Sequence, residues 1–261
     1  MSNIVVEYSK YVLLRCDMNI FQKIIDILLP PNCKICGNSS KSGDELCTDC
    51  HELFVREAFL RCPRCERAAD NCLCSSGFAK HIKTEICGKR YSVLTFYNKN
   101  VSDRITEKMI FRLKDRCDFS GFFAKELARN VATLFEKENE DLSEWTVTYI
   151  PRSIGKFSEK GFDQGEEVAK RLAKLLKVKF QKTFVRTCSG TVQKSLNAGD
   201  RKTNAEESII PIRKKIDGDK YILFDDIITT GATMETAIKH LYFCGAEAVF
   251  PIAIAKNLPK Q

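Results

Sequence analysis

Phe21, Ile24, Ile25, Leu28 and Leu29 recur at helical spacing near the head of the chain, and Pro30-Pro31 stops the pattern. Met18, which opens that segment, reads as an alternative start; otherwise residues 1–17 are a loosely attached extension. Between 32 and 75 the pattern gives way to cysteine pairs and short polar turns, and 76–90 reads as a linker. Tyr91-Ser-Val-Leu-Thr-Phe-Tyr97 then has the aromatic and β-branched content of a strand. Ser102 is placed to cap a helix carrying Ile105, Met109, Ile110 and Leu113. A second helix over about 119–137 aligns Phe123, Leu127, Val131 and Leu134. A strand follows from Trp145 to Ile150. Asp163 and Glu166 have the spacing of a capping box ahead of Val168, Leu172, Leu175 and Leu176. After a polar loop from Arg186 to Glu207, the pattern predicts a strand at Tyr221–Phe224, a helix over 232–243 and a last strand from Ala246 to Ala255. Strands alternating with helices predict an α/β domain over 91–261, with a mainly parallel sheet flanked by helices. A cysteine-rich segment, 18–75, precedes it.

Apolar residues make up 44% of the 261, enough for a core, and no run approaches the roughly 20 apolar residues of a membrane span. Gln22, Lys23 and Asp26 interrupt the nearest candidate, and a small-residue cleavage site is lacking, so a cytoplasmic protein is expected. The net charge of +8 suits a polyanionic or phosphorylated partner, but Lys and Arg are interleaved with Asp and Glu as on an ordinary solvated surface.

The chemistry concentrates in two places. In the first, the apolar strand Tyr221-Ile-Leu-Phe224 runs into Asp225-Asp226, then Ile-Ile-Thr229-Thr230-Gly231-Ala232-Thr233 opens a helix. Ligands of open α/β sheets bind beyond the carboxyl ends of strands. A helix N-terminus there offers N–H groups and a positive partial charge to an anion, and Gly231 allows close approach. The hydroxyls of Thr229, Thr230 and Thr233 can donate to phosphate oxygens. Asp225 and Asp226 would repel a phosphate; they suit ribose hydroxyls and a hydrated Mg²⁺. Two adjacent carboxylates exceed what a helix cap requires.

In the second, Cys33-x-x-Cys36 and Cys47-x-x-Cys50 are spaced for tetrahedral Zn²⁺. Cys62-x-x-Cys65 and Cys72-x-Cys74 offer four more thiolates. Four close pairs in a chain without a secretion signal point to structural zinc and away from disulfides or redox chemistry. An all-cysteine site leaves no open coordination position, so these sites are not catalytic.

The stretch 221–233 resembles the phosphoribosyl pyrophosphate motif of type I phosphoribosyltransferases. Over about 18–256 the chain resembles the ComF family. The pieces that carry the likeness are Leu29-Pro-Pro-Asn-Cys33-Lys-Ile-Cys36-Gly, Leu113-Lys114, Ile150-Pro-Arg152, Lys160-Gly-Phe-Asp-Gln164, Arg186-Thr187, Gln193, Leu196, Arg201, Asn204 and the Asp-Asp-Ile-Ile-Thr-Thr-Gly segment. The family pattern has Arg-Gly-Phe-Asn-Gln where this chain has lysine and aspartate at 160 and 163, and lysine lacks the bidentate geometry of arginine. Purine-salvage relatives resemble Asp-Ile-Ile-Asp-Thr-Gly, with an aspartate at the place of Thr229, so a purine acceptor is not expected.

The resemblance implies a pentosyl transferase that binds Mg²⁺ and phosphoribosyl pyrophosphate. Asp225 and Asp226 would be its catalytic acids, and Thr229, Thr230, Gly231, Ala232 and Thr233 would hold the 5′-phosphate. Arg152 and, less directly, Lys114 would meet the pyrophosphate. The alternative is an accessory of DNA uptake that binds single-stranded DNA, works with other uptake proteins and keeps the nucleotide site for regulation. Residues 33–74 lack the dense basic and aromatic stripe on which single-stranded bases stack. No glutaminase signature is visible.

Overall fold

A computed structural model describes residues 31–258 apart from 42–43, 75, 99–103 and 187–208. The segment 18–29, Ser102 and most of the polar loop fall outside the described residues. The chain divides into two compact units, residues 1–49 and 50–261.

In the first unit, Asn32 and Ser39 form an antiparallel bridge around the Cys33–Cys36 turn. Cys33 N donates to Asn38 O, and Gly37, with φ +81°, donates back to Cys33 O. A Lys34–Glu45 ion pair at 2.7 Å ties this turn to the approach of the next cysteine pair.

The second unit begins in the first turn of helix α1 (Thr48–Ala58), which cysteine spacing had concealed in the sequence. Strand β1 (Ser92–Tyr97) follows. Helix α2 (Ile105–Arg116) then starts without a side-chain cap of its own. Its first N–H groups, from Ile105 and Thr106, donate instead to the two carboxylate oxygens of Glu57 in α1, at 2.8 and 2.9 Å. Helix α3 (Ser120–Glu138), β2 (Trp145–Tyr149), α4 (Ile154–Lys160), α5 (Gln164–Leu176) and the two-residue β3 (Lys179–Phe180) come next. After β4 (Phe184–Arg186) and β5 (Ile209–Pro211), the chain forms β6 (Lys220–Ile228), α6 (Ala232–Phe243) and β7 (Ala248–Asn257).

Five strands form one parallel sheet in the order β1-β7-β6-β2-β3; β4 and β5 make a separate antiparallel pair. From β2 the chain crosses over α5 outward to β3, and from β6 it crosses over α6 to β7 on the other side. The carboxyl ends of β2 and β6 therefore flank the point where strand order reverses, where such sheets bind ligands. Period-2 alternation divides β6 between two faces. Tyr221 and Leu223 join a core with Met234, Ala237, Ile238 and Leu241 of α6. The opposite face is covered by α3 and α5, where Phe135 meets Trp145 and Phe250 edge to face at 5.1 and 5.7 Å.

Candidate functional site

The expected strand at 221–224 is longer than the apolar pattern suggested. β6 continues through both acids to Ile228, because β7 stays paired with it: Asp225 lies opposite Ala253 and Ile228 opposite Lys256. Its other neighbour, β2, stops at Tyr149 opposite Phe224. From Asp225 onward one edge of β6 is thus released from the sheet at the switch point, and the two acids occupy that released stretch.

Asp226 is met by two side chains from other elements. Gln164 Nε2 donates to its Oδ2 at 2.8 Å, and Lys114 Nζ stands 3.5 Å from its Oδ1. Asp225 Oδ1 accepts from the Asp226 N–H at 2.9 Å. Burial first, and then the adjacent Asp226 carboxylate, push the Asp225 carboxyl up to about 8 against the partial relief of Lys114 and Arg186. Gln164 is itself 8% exposed, and its Oε1 is buried without a hydrogen-bond partner among the described residues. A carboxylate pair with one acid this destabilised and an orphaned acceptor next to it matches the oxygen-rich, donor-seeking surroundings of a hydrated divalent cation.

Beyond Ile228, Thr229 and Thr230 are exposed, and Gly231 takes a left-handed φ of +81° to open α6 at Ala232. Thr230 Oγ1 accepts weakly from Ala232 N at 3.4 Å. Gly231 is required for a second reason, which the sequence did not disclose. A methyl group there would stand 2.6 Å from Cδ1 of Phe78, a ring 1% exposed.

Arg152 follows the end of β2. Its Nη2 donates to Lys114 O at 2.6 Å, its Nη1 contacts Phe162 O at 3.4 Å, and the guanidinium lies over the Phe162 ring. The residue therefore joins the last turn of α2, with Lys114, to the turn before α5. Asp163 caps α5 as expected, accepting from Gly165 N and Glu166 N, while its Oδ2 accepts from Arg152 N at 2.8 Å. The reciprocal half of a capping box is replaced: Glu166 takes the Tyr149 hydroxyl and the Lys170 ammonium. Gly165 permits close packing, since a Cβ would lie 3.1 Å from the Tyr149 ring and 3.3 Å from Ile150 O. Lys160 pairs with Asp115 at 2.8 Å.

The structure thus brings together Asp225, Asp226, Lys114 and Arg152 with the start of the Thr229–Thr233 turn, and adds Gln164 and Arg186. Gln164 was visible as the last residue of Lys160-Gly-Phe-Asp-Gln164. Phe78 had no signal, because it reaches the turn from 153 positions away in sequence.

Both cysteine groups gather. The Sγ atoms of Cys33, Cys36, Cys47 and Cys50 lie within 4.8 Å of one another, as do those of Cys62, Cys65, Cys72 and Cys74. Sulfurs at the corners of a tetrahedron with metal–sulfur bonds of ~2.3 Å are roughly 3.8 Å apart. The Cys36–Cys47 and Cys62–Cys74 separations of 3.5 and 3.9 Å fit that edge and are far too long for a disulfide. Although burial opposes it, backbone hydrogen bonds bring the Cys33 thiol down to about 6, toward the thiolate a metal needs.

Residues 160–258 match the family model of the phosphoribosyl transferase domain. That match spans α5, the carboxylate pair, the turn and β7.

Residues 160–258 carry a phosphoribosyl transferase domain.

Over most of its length it is also ComFC-like. It is 25% identical over 237 residues to the competence protein ComFC of Streptococcus pneumoniae (strain ATCC BAA-255 / R6), covering 86% of this chain and 99% of that protein. Among solved structures, a hypoxanthine-guanine phosphoribosyltransferase from Bacillus anthracis matches with 17% identity and a TM-score of 0.32, over 52% of this chain and 68% of its own. A hypoxanthine phosphoribosyltransferase from Staphylococcus aureus gives 12% identity and a TM-score of 0.33, over 54% and 74%. Overlaps of that quality leave the family assignment to the sequence matches. No described helix is long and apolar enough to cross a membrane.

Proposed function

We propose that the domain binds the magnesium complex of phosphoribosyl pyrophosphate and transfers the phosphoribosyl group to a nucleophile. The observation that carries this reading is the carboxylate pair on the released edge of β6, followed at once by the left-handed Gly231 turn into α6. A 5′-phosphate would be held by Thr229 to Thr233 through N–H groups, hydroxyls and the positive end of α6. Asp225 and Asp226 would accept from the ribose hydroxyls and support the hydrated Mg²⁺, which supplies charge neutralisation of the pyrophosphate. Lys114 and Arg152 would meet the leaving pyrophosphate. A guanidinium has five N–H donors, so the two bonds of Arg152 to backbone carbonyls leave donors for an anion.

In the transfer, the bond from the anomeric carbon to pyrophosphate breaks and its electron pair leaves with pyrophosphate. The nucleophile forms the new bond and loses its proton to solvent. Positive charge develops at the sugar, so the residues act by positioning and by stabilising the leaving group. Thr229, unlike an aspartate, offers no base to a purine.

We also propose Zn²⁺ for the two cysteine quartets, on the tetrahedral sulfur spacing. The relative's name supports a role in competence, and a nucleotide site accounts for more of the observed geometry than single-strand binding does. Calorimetry with phosphoribosyl pyrophosphate, with and without Mg²⁺, tests the reading. Saturable binding that strengthens with Mg²⁺ supports it, and absence of binding to this or any ribose 5-phosphate compound overturns it.

A further inference from the structure

We propose that the second cysteine quartet, Cys62, Cys65, Cys72 and Cys74, is the seat of the phosphate-binding turn, with Phe78 and Lys256 as the positioning residues that join the two. The inference rests on reading Thr229–Thr233 as the anion cradle.

Two separate links run between these places. The first is a packing contact. Directly after Ser76, a 3₁₀ turn (Gly77–His81) carries Phe78, whose ring lies tilted against Tyr91 with centroids 5.2 Å apart and fills the space where Gly231 would bear a side chain. Phe78 therefore fixes how far the backbone at Gly231 can move inward, and Gly231 is the residue whose left-handed φ turns the chain into α6.

The second link is polar and buried. Lys256 is fully buried in β7, directly opposite Ile228, the last residue of β6 before Thr229. Its ammonium donates to Cys72 O, to Ser76 Oγ at 2.5 Å and to Tyr91 OH at 3.1 Å. Tyr91 OH in turn donates to Cys72 O at 2.5 Å, and Ser76 Oγ bonds to both groups. A buried ammonium is tolerated only where acceptors surround it, and these acceptors all belong to the cysteine loop or to the tyrosine bonded to it. The same cation lies beside a quartet that would carry net negative charge once its four thiolates held a divalent metal. Cys62 and Cys72 belong to the same apolar core as Leu223, Ile228 and Met234.

Without a metal, four uncompensated sulfur ligands no longer fix the loop; Cys72 O and Ser76 then shift from Lys256, and Phe78 loses its seat. The turn would lose the shape that receives phosphate. The first quartet provides the control, since three of its four cysteines lie in the other compact unit.

The test compares full-length Cys74→Ser, Cys36→Ser and Phe78→Ala with the unaltered protein. Metal content, affinity for ribose 5-phosphate and hydrogen exchange of the 229–233 amides are measured on each. Cys74→Ser should lose about one metal and raise both the dissociation constant and the exchange rate roughly tenfold, within the usual range of coupling between sites. Phe78→Ala should keep both metals and show the same loosening of the turn. Cys36→Ser should lose metal and leave both readouts within about twofold of the unaltered protein. Unchanged exchange at 229–233 in Cys74→Ser and Phe78→Ala would overturn the proposal. Failure of the unaltered protein to bind ribose 5-phosphate would strike the functional reading instead, because exchange is read without ligand.

Discussion

The two halves of β6 differ in what surrounds them. From Tyr221 to Phe224 the strand is paired on both sides and fully buried, and every side chain is apolar or, like Tyr221, hydrogen-bonded inside. From Asp225 to Ile228 it keeps, among the described residues, the strand partner on the β7 side alone, and it puts two carboxylates where the sheet opens. One continuous strand thus serves as core and then as site, and the change coincides with the end of β2. Substitutions in the first half should cost stability, and those of the acids in the second half should cost binding.

The largest effect expected is in the core half. Phe224→Ala empties a fully buried position and should cost about 3–5 kcal/mol in urea denaturation. A cost below ~1 kcal/mol would mean that the first half is not core at all.

Asp225→Asn should move stability in the opposite direction. The Asp225 carboxyl is raised in the folded chain from an ordinary 3.8 to about 8. A group raised in this way contributes stability that is fully present below its unfolded pKa and is lost as pH rises through the folded value. The unaltered protein should therefore lose stability between about pH 4 and pH 8, and the asparagine variant should lose less. Near pH 8 the variant should be more stable by roughly 1–3 kcal/mol, the usual cost of a buried group left poorly satisfied. Parallel pH–stability curves for the two proteins would contradict the assignment.

Gly231→Ala comes next. Its left-handed φ alone should cost ~1–2 kcal/mol, and the Phe78 ring must also give way. Thermal denaturation measures the first part, and loss of ribose 5-phosphate affinity the second. The smallest change is Thr233→Val, which removes one hydroxyl donor and leaves the backbone cradle. It should weaken 5′-phosphate binding by about 0.5–1.5 kcal/mol in calorimetry while stability stays level.

Much of β6–α6 was legible in the sequence, because an apolar strand, an acidic pair and a threonine-glycine turn are contiguous. The helix over 232–243 follows the expected limits, since its start is a local glycine signal. The extension of β6 through its acids was not legible: pairing with β7 maintains it, and pairing is a long-range property. Glu57 capping α2 and Phe78 packing on Gly231 escaped for the same reason. Helix α1 was hidden because cysteine spacing dominates Thr48–Ala58, and α4 because seven residues carry too short a period. The eight cysteines gather in two groups of four, and close pairs along the sequence impose much of that proximity. That the second group shares the core of the sheet depends on Lys256 and Tyr91, which no local pattern connects to it.

The most direct measurement is the double variant Asp225→Asn/Asp226→Asn, followed at once for ligand affinity and for stability. Each lost charge-assisted acceptor is worth roughly 1.5–3 kcal/mol, so affinity for magnesium phosphoribosyl pyrophosphate should fall at least about tenfold. Stability at neutral pH should hold or rise, because burial and the adjacent Asp226 disfavour the ionised form of Asp225 in the folded chain. Unchanged ligand affinity together with a collapse in stability would contradict the account, for the acids would then be holding the end of β6 together and not a substrate.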